Sequence, residues 1–243
     1  MGYCYAITSG KGGTGKSTVA VGLATSFAAT SKKTLLIDMD EGLRCLDILL
    51  GIEDKLVFDL SDILSDKDTD DAVYSVRENE NLFLIPAPSA IGKIDKQKFK
   101  EFCSQITKEY DVVIFDFPAG IDFSLYNSLP KQTVVLAVCN PDPVSVRDAA
   151  AVCDNLPFDC IHTRLIVNKF HYKPMYKGMY ENIDGIIDRS GFRLVGIVPE
   201  DSELLYLSTK HKIKRKGRAM AAFNRITDRL CGIHRPLPKP KKI

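Results

Sequence analysis

The sequence predicts a single α/β domain with a mostly parallel, twisted sheet and helices on both of its faces. Short apolar segments rich in β-branched residues alternate with longer helical patterns along the whole chain. The strand-like segments are apolar without interruption, which is typical of parallel strands that helices cover on both sides. The length of 243 residues, 45% of them hydrophobic, is enough for one large core.

Strands are predicted where apolar and β-branched residues run together. In chain order they are Tyr3 to Thr8, Thr34 to Met39, Leu82 to Ile85, Val112 to Asp116, Thr133 to Val138, Leu165 to Asn168 and Leu194 to Val198. Because repeated strand-then-helix units give parallel strands, we expect these segments to pair in one sheet.

Helices are predicted where apolar residues recur with helical spacing. They are Ser17 to Ala29, Lys96 to Tyr110, Pro143 to Leu156, Asn182 to Ser190 and Gly217 to Cys231. Asp142 and Pro143 make a good helix start, since Asp caps a first turn and Pro is tolerated at its first position. We assign residues 1–232 to the domain and expect residues 233–243, rich in proline and lysine, to form a disordered basic tail.

Composition excludes several classes of protein. No apolar run approaches the ~20 residues that a membrane-spanning helix needs, and the chain does not open with a signal-peptide pattern. The seven cysteines include no CxxC pair, so neither a disulfide framework nor a cysteine metal site is indicated. We therefore expect a cytoplasmic protein, or one attached peripherally to the inner face of the membrane.

The charge is nearly balanced overall but uneven along the chain. The formal net charge is +2, and the densest basic stretch runs from Lys210 to Arg218. Such a stretch is typical of a solvated loop, and it also suits an anionic partner such as lipid or DNA. Both interpretations stay open, and weak contact with a membrane surface or with DNA is one of the partner hypotheses.

The strongest motif is a phosphate-binding loop. It reads Gly10-Lys11-Gly12-Gly13-Thr14-Gly15-Lys16-Ser17, is followed by Thr18, and satisfies GxxxxGK[ST] between a predicted strand and a predicted helix. Glycines allow backbone N–H groups to approach phosphate oxygens, and the helix that follows directs the positive end of its dipole at the same anion. Lys16 is expected to bridge the β- and γ-phosphates, and Ser17 to ligate Mg²⁺. The fold is therefore that of a P-loop NTPase.

Lys11 is the unusual residue of this loop. A second ammonium group close to Lys16 would repel it unless a highly charged anion lies between the two. The simpler alternative is a solvated surface lysine. The sequence pattern alone leaves both open.

Three carboxylates follow predicted strands and are candidates for handling metal and water. Asp116 closes the buried strand that starts at Val112, which is the Walker B arrangement beside the Mg²⁺ ion. Asp38 lies near the end of the predicted strand that starts at Thr34, Asp40 comes just after it, and alternate residues of a strand share a face. One of them could assist the metal and the other could orient or deprotonate the attacking water. The alternative is that they cap a turn before Gly42.

Longer segments resemble the MinD/ParA family of ATPases, and most closely its MinD branch. The loop KGGTGKST resembles the deviant Walker A box of that family. The segments that resemble the family's other motifs are Leu36 to Asp47, Asp116 to Ile121, Asn140 to Ala149 and Gly196 to Asp201. Together they cover residues 1 to about 230 in the expected order.

The resemblance implies roles for the phosphate and metal residues. Lys11 would cross a two-fold interface to the phosphates of the opposite subunit. Lys16 and Ser17 would hold phosphate and Mg²⁺, Asp116 would meet the metal through water, and Asp40 would position the attacking water.

The resemblance also implies where the base binds and which partners the chain has. Asn168, Pro199, Glu200 and Asp201 would frame the adenine of ATP or ADP. ATP would drive formation of a homodimer, and Mg-dependent hydrolysis, slow and stimulated by a regulatory protein, would dissolve it. The implied role is in cell-division site placement or related spatial regulation. The alternative is a ParA-like partitioning or cargo-positioning ATPase that binds DNA or a protein partner.

Overall fold

The computed structural model describes residues 2–65, 68–76, 79–157, 163–211 and 217–243. Eight strands form one sheet. They are β1 (Tyr3–Thr8), β2 (Thr34–Asp38), β3 (Tyr74–Ser75), β4 (Leu82–Ile85), β5 (Val112–Asp116), β6 (Val134–Cys139), β7 (Thr163–Phe170) and β8 (Leu194–Pro199).

The strand order is β3-β4-β2-β5-β1-β6-β7-β8, and every pair is parallel except β3 with β4. This confirms the predicted single-domain, mostly parallel sheet. The two-residue edge strand β3 was not predicted, because two residues are too few to show a period.

Ten helices pack around the sheet in the described part of the chain. They are α1 (Lys16–Ala28), α2 (Leu46–Leu50), α3 (Leu60–Leu64), α4 (Lys96–Glu109), α5 (Pro143–Asn155), α6 (Tyr172–Tyr176), α7 (Ile183–Ser190), α8 (Ser202–Leu205), α9 (Leu207–Lys210) and α10 (Arg218–Leu230). The five longer ones lie within one residue of their predicted bounds at each end. The other five have four or five residues each, too short for helical periodicity to be visible. As predicted, Asp142 caps α5 by accepting a hydrogen bond from the Ser145 N–H at 3.0 Å.

Helices cover the sheet on both faces. On one face α1 packs against α10, and the two approach so closely that a Cβ on Gly22 would lie 2.2 Å from the Phe223 ring. On the opposite face α4 packs through Phe99, Phe102 and Ile106 onto apolar residues of the central strands. A sheet buried in this way on both sides explains why its strands are continuously apolar in sequence.

The order of the strands fixes where a ligand site can lie. The chain starts in β1 and forms β2, β3 and β4 on one side of it, then places β5 between β2 and β1, and finally adds β6, β7 and β8 on the other side. Ile7 of β1 and Asp38 of β2 both pair in register with Asp116 of β5. The carboxyl ends of these strands therefore meet at the point where the strand order reverses, which is where open α/β sheets bind ligands.

Residues 233–243, for which the sequence predicts a disordered basic tail, are among the described residues. Arg235 Nε lies 2.6 Å from Asp228 Oδ2, and the buried Ile243 side chain belongs to an apolar cluster formed with residues of β6, β7, β8, α5 and α7. One terminal isoleucine surrounded by charged residues and prolines gives no periodic signal, so the contact could not be predicted from local sequence.

Two further expectations concern surfaces. No helix in the described ranges is both long and apolar enough to cross a membrane. Of the basic stretch from Lys210 to Arg218, residues 212–216 lie outside the described residues.

Candidate active site

The phosphate-binding loop joins β1 to α1 and forms one wall of a cavity of about 240 Å³. Gly13 and Gly15 have φ angles of 80° and 84°, in the left-handed region that favours glycine. A Cβ on Gly15 would also lie 2.4 Å from Asn168 Nδ2. The residues that line the cavity are Ser9, Gly12, Gly13, Thr14, Gly15, Lys16, Ser17, Thr18, Asp40 and Ala119. Gly10 instead packs against α5, where a Cβ would lie 2.3 Å from the Asp148 carbonyl oxygen.

Lys16 is buried at the floor of this cavity. Its Nζ lies 2.9 Å from Asp116 Oδ1 and 3.4 Å from Ser17 Oγ. Three groups that were assigned to phosphate and metal from the sequence are thus joined in one hydrogen-bonded cluster. A negatively charged phosphate would compete with Asp116 for the ammonium group, because both are anions and Lys16 is the nearby cation.

The residues present fit a magnesium ion. The Asp116 carboxylate is buried, and its Oδ2 has no hydrogen-bond partner among the described residues, so one oxygen is available to a ligand. The described ranges contain no cluster of three His, Cys, Asp or Glu that could hold a metal ion. Mg²⁺ is usually held by one or two protein oxygens together with substrate phosphates and water.

The structure separates Asp38 from Asp40, which the sequence placed on a common face. Strand β2 ends at Asp38, whose two oxygens accept hydrogen bonds from the backbone N–H groups of residues 40, 45 and 46 at 2.9, 3.1 and 3.2 Å. Asp40 lies beyond the strand, and its side chain lines the cavity. Asp38 therefore holds the loop after β2 in place, while Asp40 faces the phosphate site.

Electrostatics distinguish the two carboxyl groups further. Burial, reinforced by the charge of Asp116, raises the pKa of Asp38 to about 7, although the three N–H donors act in the opposite direction. Burial also raises the pKa of Asp40, with Lys16 opposing the rise and Asp116 reinforcing it. A carboxylate with a raised pKa is a better proton acceptor than an ordinary carboxylate.

Lys11 lies on the exposed rim of the loop. Its carbonyl accepts a hydrogen bond from Ser9 Oγ at 3.0 Å, and its ammonium group makes no ion pair with any described residue. Apolar side chains are exposed on neighbouring loops, namely Leu43 (76% exposed), Ile91 (81%) and Ile121 (57%). The Cβ position of Gly42 lies 3.1 Å from Ile91, so two of these loops are in contact.

The four residues expected at the adenine lie at the ends of β7 and β8. Asn168 is buried, and its Nδ2 donates to the Thr14 carbonyl oxygen at 2.8 Å, so it contacts the phosphate loop directly. Pro199 ends β8, and the Glu200 N–H donates to the Phe170 carbonyl oxygen. Asp201 accepts from Glu203 N at 3.1 Å and from Ala219 N at 3.1 Å, which joins the starts of α8 and α10. None of these four residues is among the described residues that line the phosphate cavity.

Sequence reasoning missed some residues of the site. Ser9 and Ala119 line the cavity, and neither was named as a site residue, although Ser9 directly precedes the phosphate loop and Ala119 lies within the recognised segment from Asp116 to Ile121. Cys45 hydrogen bonds to Ser17, and burial raises the pKa of its thiol to about 11. Lys169 donates from Nζ to the Gly13 carbonyl oxygen at 2.7 Å. The sequence carries no signal for this contact, because it depends on how two distant segments meet.

Comparison with known proteins agrees with this geometry. The family model of the CobQ/CobB/MinD/ParA nucleotide binding domain matches residues 5–213. The septum site-determining protein MinD of Bacillus subtilis is 32% identical over 98% of this chain and 92% of its own. The corresponding protein of Synechocystis is 34% identical over 84% of this chain and 78% of its own.

A solved structure extends the likeness to three dimensions. A chain of the MinC:MinD cell division protein complex of Aquifex aeolicus superimposes with a TM-score of 0.85 at 30% identity, covering 98% of this chain and 99% of that chain. Fold, phosphate loop and full-length similarity thus point to the same group of proteins. This chain belongs to the CobQ/CobB/MinD/ParA family of nucleotide-binding domains and, within it, to the MinD group.

Proposed function

We propose that this protein is a MinD-type ATP-hydrolysing switch that dimerises on ATP and takes part in placing the cell-division site. The observation that carries the proposal is the buried cluster of Lys16, Ser17 and Asp116 beneath the glycine loop. A cation, a hydroxyl group and a carboxylate in this arrangement are what a Mg-nucleoside triphosphate requires. The relatives named as septum site-determining proteins support the cellular role.

In the proposed reaction the residues of this chain bind and orient the triphosphate. Backbone N–H groups of the loop and the Lys16 ammonium hold the β- and γ-phosphates, and Ser17 with Asp116 would hold Mg²⁺. When bound, the metal neutralises charge that develops on the phosphate oxygens. Asp40 lines the same cavity and accepts a hydrogen bond or proton from the attacking water. The products are ADP and inorganic phosphate.

A second copy of the chain would complete the site. Lys11 is exposed in the phosphate loop and has no ion-pair partner among the described residues, and the loops that follow β2, β4 and β5 expose the apolar residues Leu43, Ile91 and Ile121. Burial of these apolar groups would favour association, and the ammonium group would then meet the phosphates held by the neighbouring subunit. We propose the ATP-bound homodimer on this basis.

We propose a regulatory protein as a further partner. The Aquifex aeolicus complex joins MinD to MinC. A MinC-like protein bound to the dimer would link nucleotide state to division-site placement in this protein as well. In this scheme a regulatory protein stimulates the otherwise slow hydrolysis, and hydrolysis then separates the two subunits.

The proposal is tested by measuring mass in solution together with phosphate release. We expect a monomer with ADP, a dimer with Mg-ATP, and steady release of phosphate that Asp40→Ala suppresses. Because Lys11 supplies charge stabilisation from the partner, Lys11→Ala should weaken the dimer and lower turnover on the order of 10²-fold.

The matched control is Lys131→Ala. Lys131 is exposed and lies just before β6, so it is at the amino ends of the strands, whereas the site lies at their carboxyl ends. Its replacement should change neither dimer formation nor phosphate release. A protein that remains monomeric with ATP, or one in which both lysine variants behave alike, would refute the switch.

A further inference from the structure

Lys169 stands at an irregularity near the end of β7. The pairing of β7 with β8 shifts register between Val167 and Phe170, so the strand bulges at Asn168 and Lys169. Lys169 has a φ angle of 52°, a left-handed conformation that is unfavourable for a residue with a long side chain. Bulges of this kind redirect side chains, and strained backbone is retained where the surrounding structure uses it.

The bulge directs two consecutive side chains at two consecutive carbonyl groups of the phosphate loop. Asn168 Nδ2 donates to the Thr14 carbonyl oxygen at 2.8 Å, and Lys169 Nζ donates to the Gly13 carbonyl oxygen at 2.7 Å. Asn168 is 2% exposed, whereas Lys169 is exposed. The charged ammonium group of Lys169 thus donates to an uncharged carbonyl oxygen. An exposed lysine usually keeps its ammonium group in contact with water.

Each of these carbonyl groups shares a peptide unit with an N–H of the loop. The Gly13 carbonyl belongs to the same peptide as the Thr14 N–H, and the Thr14 carbonyl to the same peptide as the Gly15 N–H. A cation on the oxygen polarises the peptide and makes its N–H a stronger donor. The two hydrogen bonds also fix the planes of these peptide groups. The loop therefore loses less conformational entropy when phosphate binds.

We infer that Lys169 is a positioning residue for the phosphate-binding loop: it holds the Gly13–Thr14 peptide so that its N–H donates to a nucleotide phosphate. This rests on the proposed binding of ATP at the same site. Lys169 acts through the loop and not on the reacting atoms. It therefore sets the affinity for nucleotide and leaves the chemical step of the bound ATP unchanged.

The test measures nucleotide binding by calorimetry and turnover at saturating Mg-ATP. Lys169→Met keeps the length of the side chain and removes the ammonium group. We expect about three- to tenfold weaker binding of ATP and ADP, the effect of losing one partly exposed charge-assisted hydrogen bond. KM should rise by the same factor while kcat stays within about twofold of wild type.

Two further variants separate the ammonium group from the backbone strain. Lys169→Gly relieves the left-handed conformation but also lacks the amine, so it should bind nucleotide as weakly as Lys169→Met. Lys169→Arg retains a cationic donor and should restore most of the affinity. Lys177→Met is the control, because Lys177 is exposed on the same segment and its ammonium group bonds to no described residue.

A change of the nucleotide base provides a further test of the inference. Because the effect passes through the phosphate loop, ATP and inosine triphosphate should lose affinity by the same factor in Lys169→Met. A loss confined to adenine nucleotides, or unchanged binding in Lys169→Met, would overturn the inference. If the wild-type protein itself binds no nucleotide, the proposed function fails first, and the two failures are thereby distinguished.

Discussion

At the scale of single residues, the site depends on carboxylates that do different work although they lie close together. Asp116 pairs with Lys16 and keeps one oxygen without a hydrogen-bond partner among the described residues. Asp38, its register partner on β2, uses both oxygens to hold backbone N–H groups. Two buried carboxylates this close repel each other, which is one reason why the pKa of Asp38 rises to about 7.

The raised pKa of Asp38 predicts a specific dependence of stability on pH. The folded protein holds the Asp38 proton up to about pH 7, whereas the unfolded chain releases it near pH 4. Folded protein thus binds more protons than unfolded protein between these values, so the contribution of Asp38 to stability falls as pH rises from about 4 to about 7. Above pH 7 both states are ionised and the contribution is constant.

Asp38→Asn isolates this effect, because the variant side chain is neutral at every pH. We expect the free energy of unfolding of the variant, relative to wild type, to improve between pH 5 and pH 8 by about 2 kcal/mol or more. Urea unfolding without nucleotide measures it. Loss of the carboxylate oxygen should not change this result, because a destabilisation that is the same at every pH cancels in the difference between pH 5 and pH 8. Parallel pH profiles of unfolding free energy for the two proteins would contradict the assigned pKa.

At the scale of elements, the loop after β5 is anchored by aromatic packing at both of its ends. Phe117 directly follows Asp116, is 3% exposed, and packs at a tilt against Tyr126 with ring centroids 4.3 Å apart. Phe123 meets the same tyrosine edge-on at 5.0 Å. Between these anchors Ala119 faces the phosphate cavity, and the Gly120 N–H donates to the Ser9 carbonyl oxygen at 2.8 Å. The aromatic cluster thus limits how far this part of the site can move.

Removal of one anchor should be costly in stability. Phe117→Ala leaves a cavity beside Tyr126 and is expected to lower the free energy of unfolding by about 3–4 kcal/mol. Ile121→Ala is the matched control in the same loop. Its side chain is 57% exposed, so its loss should change stability by no more than about 0.5 kcal/mol. Chemical denaturation of both variants decides the matter, and equal effects would show that the cluster is not an anchor.

At the scale of the whole molecule, the central position of β1 brings the site together. The phosphate loop leaves β1 with β5 on one side and β6 on the other. Segments that arrive late in the chain, such as Asn168 and Lys169 of β7, can therefore reach a loop formed by its first residues. The end of the chain also returns to the domain, where Ile243 belongs to the apolar cluster that includes residues of β6, β7 and β8.

The contact of Ile243 can be tested directly. Ile243→Ala removes a side chain that is 9% exposed and should lower the free energy of unfolding by about 2 kcal/mol. Ile233→Ala removes the same side chain from a position that is 51% exposed in the same segment, and its effect should be within about 0.5 kcal/mol. If thermal and urea unfolding do not distinguish the two variants, the tail does not pack as described.

The sequence by itself determined the class of fold, the phosphate loop from Gly10 to Ser17, and the strand-end positions of Asp38 and Asp116. These features are local, because burial on both faces leaves a continuous apolar run and phosphate binding requires glycines at fixed spacing. The chain order of β and α segments was then enough to predict a parallel sheet.

Only the tertiary structure decided how the side chains at the strand ends are used. In the structure the Asp38 oxygens accept hydrogen bonds from backbone N–H groups, and Lys169 donates to a carbonyl oxygen 156 residues away in sequence. Ile243 joins an apolar cluster that includes strands of the sheet. The direction of a side chain at a strand end depends on register shifts and on neighbours from distant segments. Local composition does not encode these, so they emerge only when the whole sheet has formed.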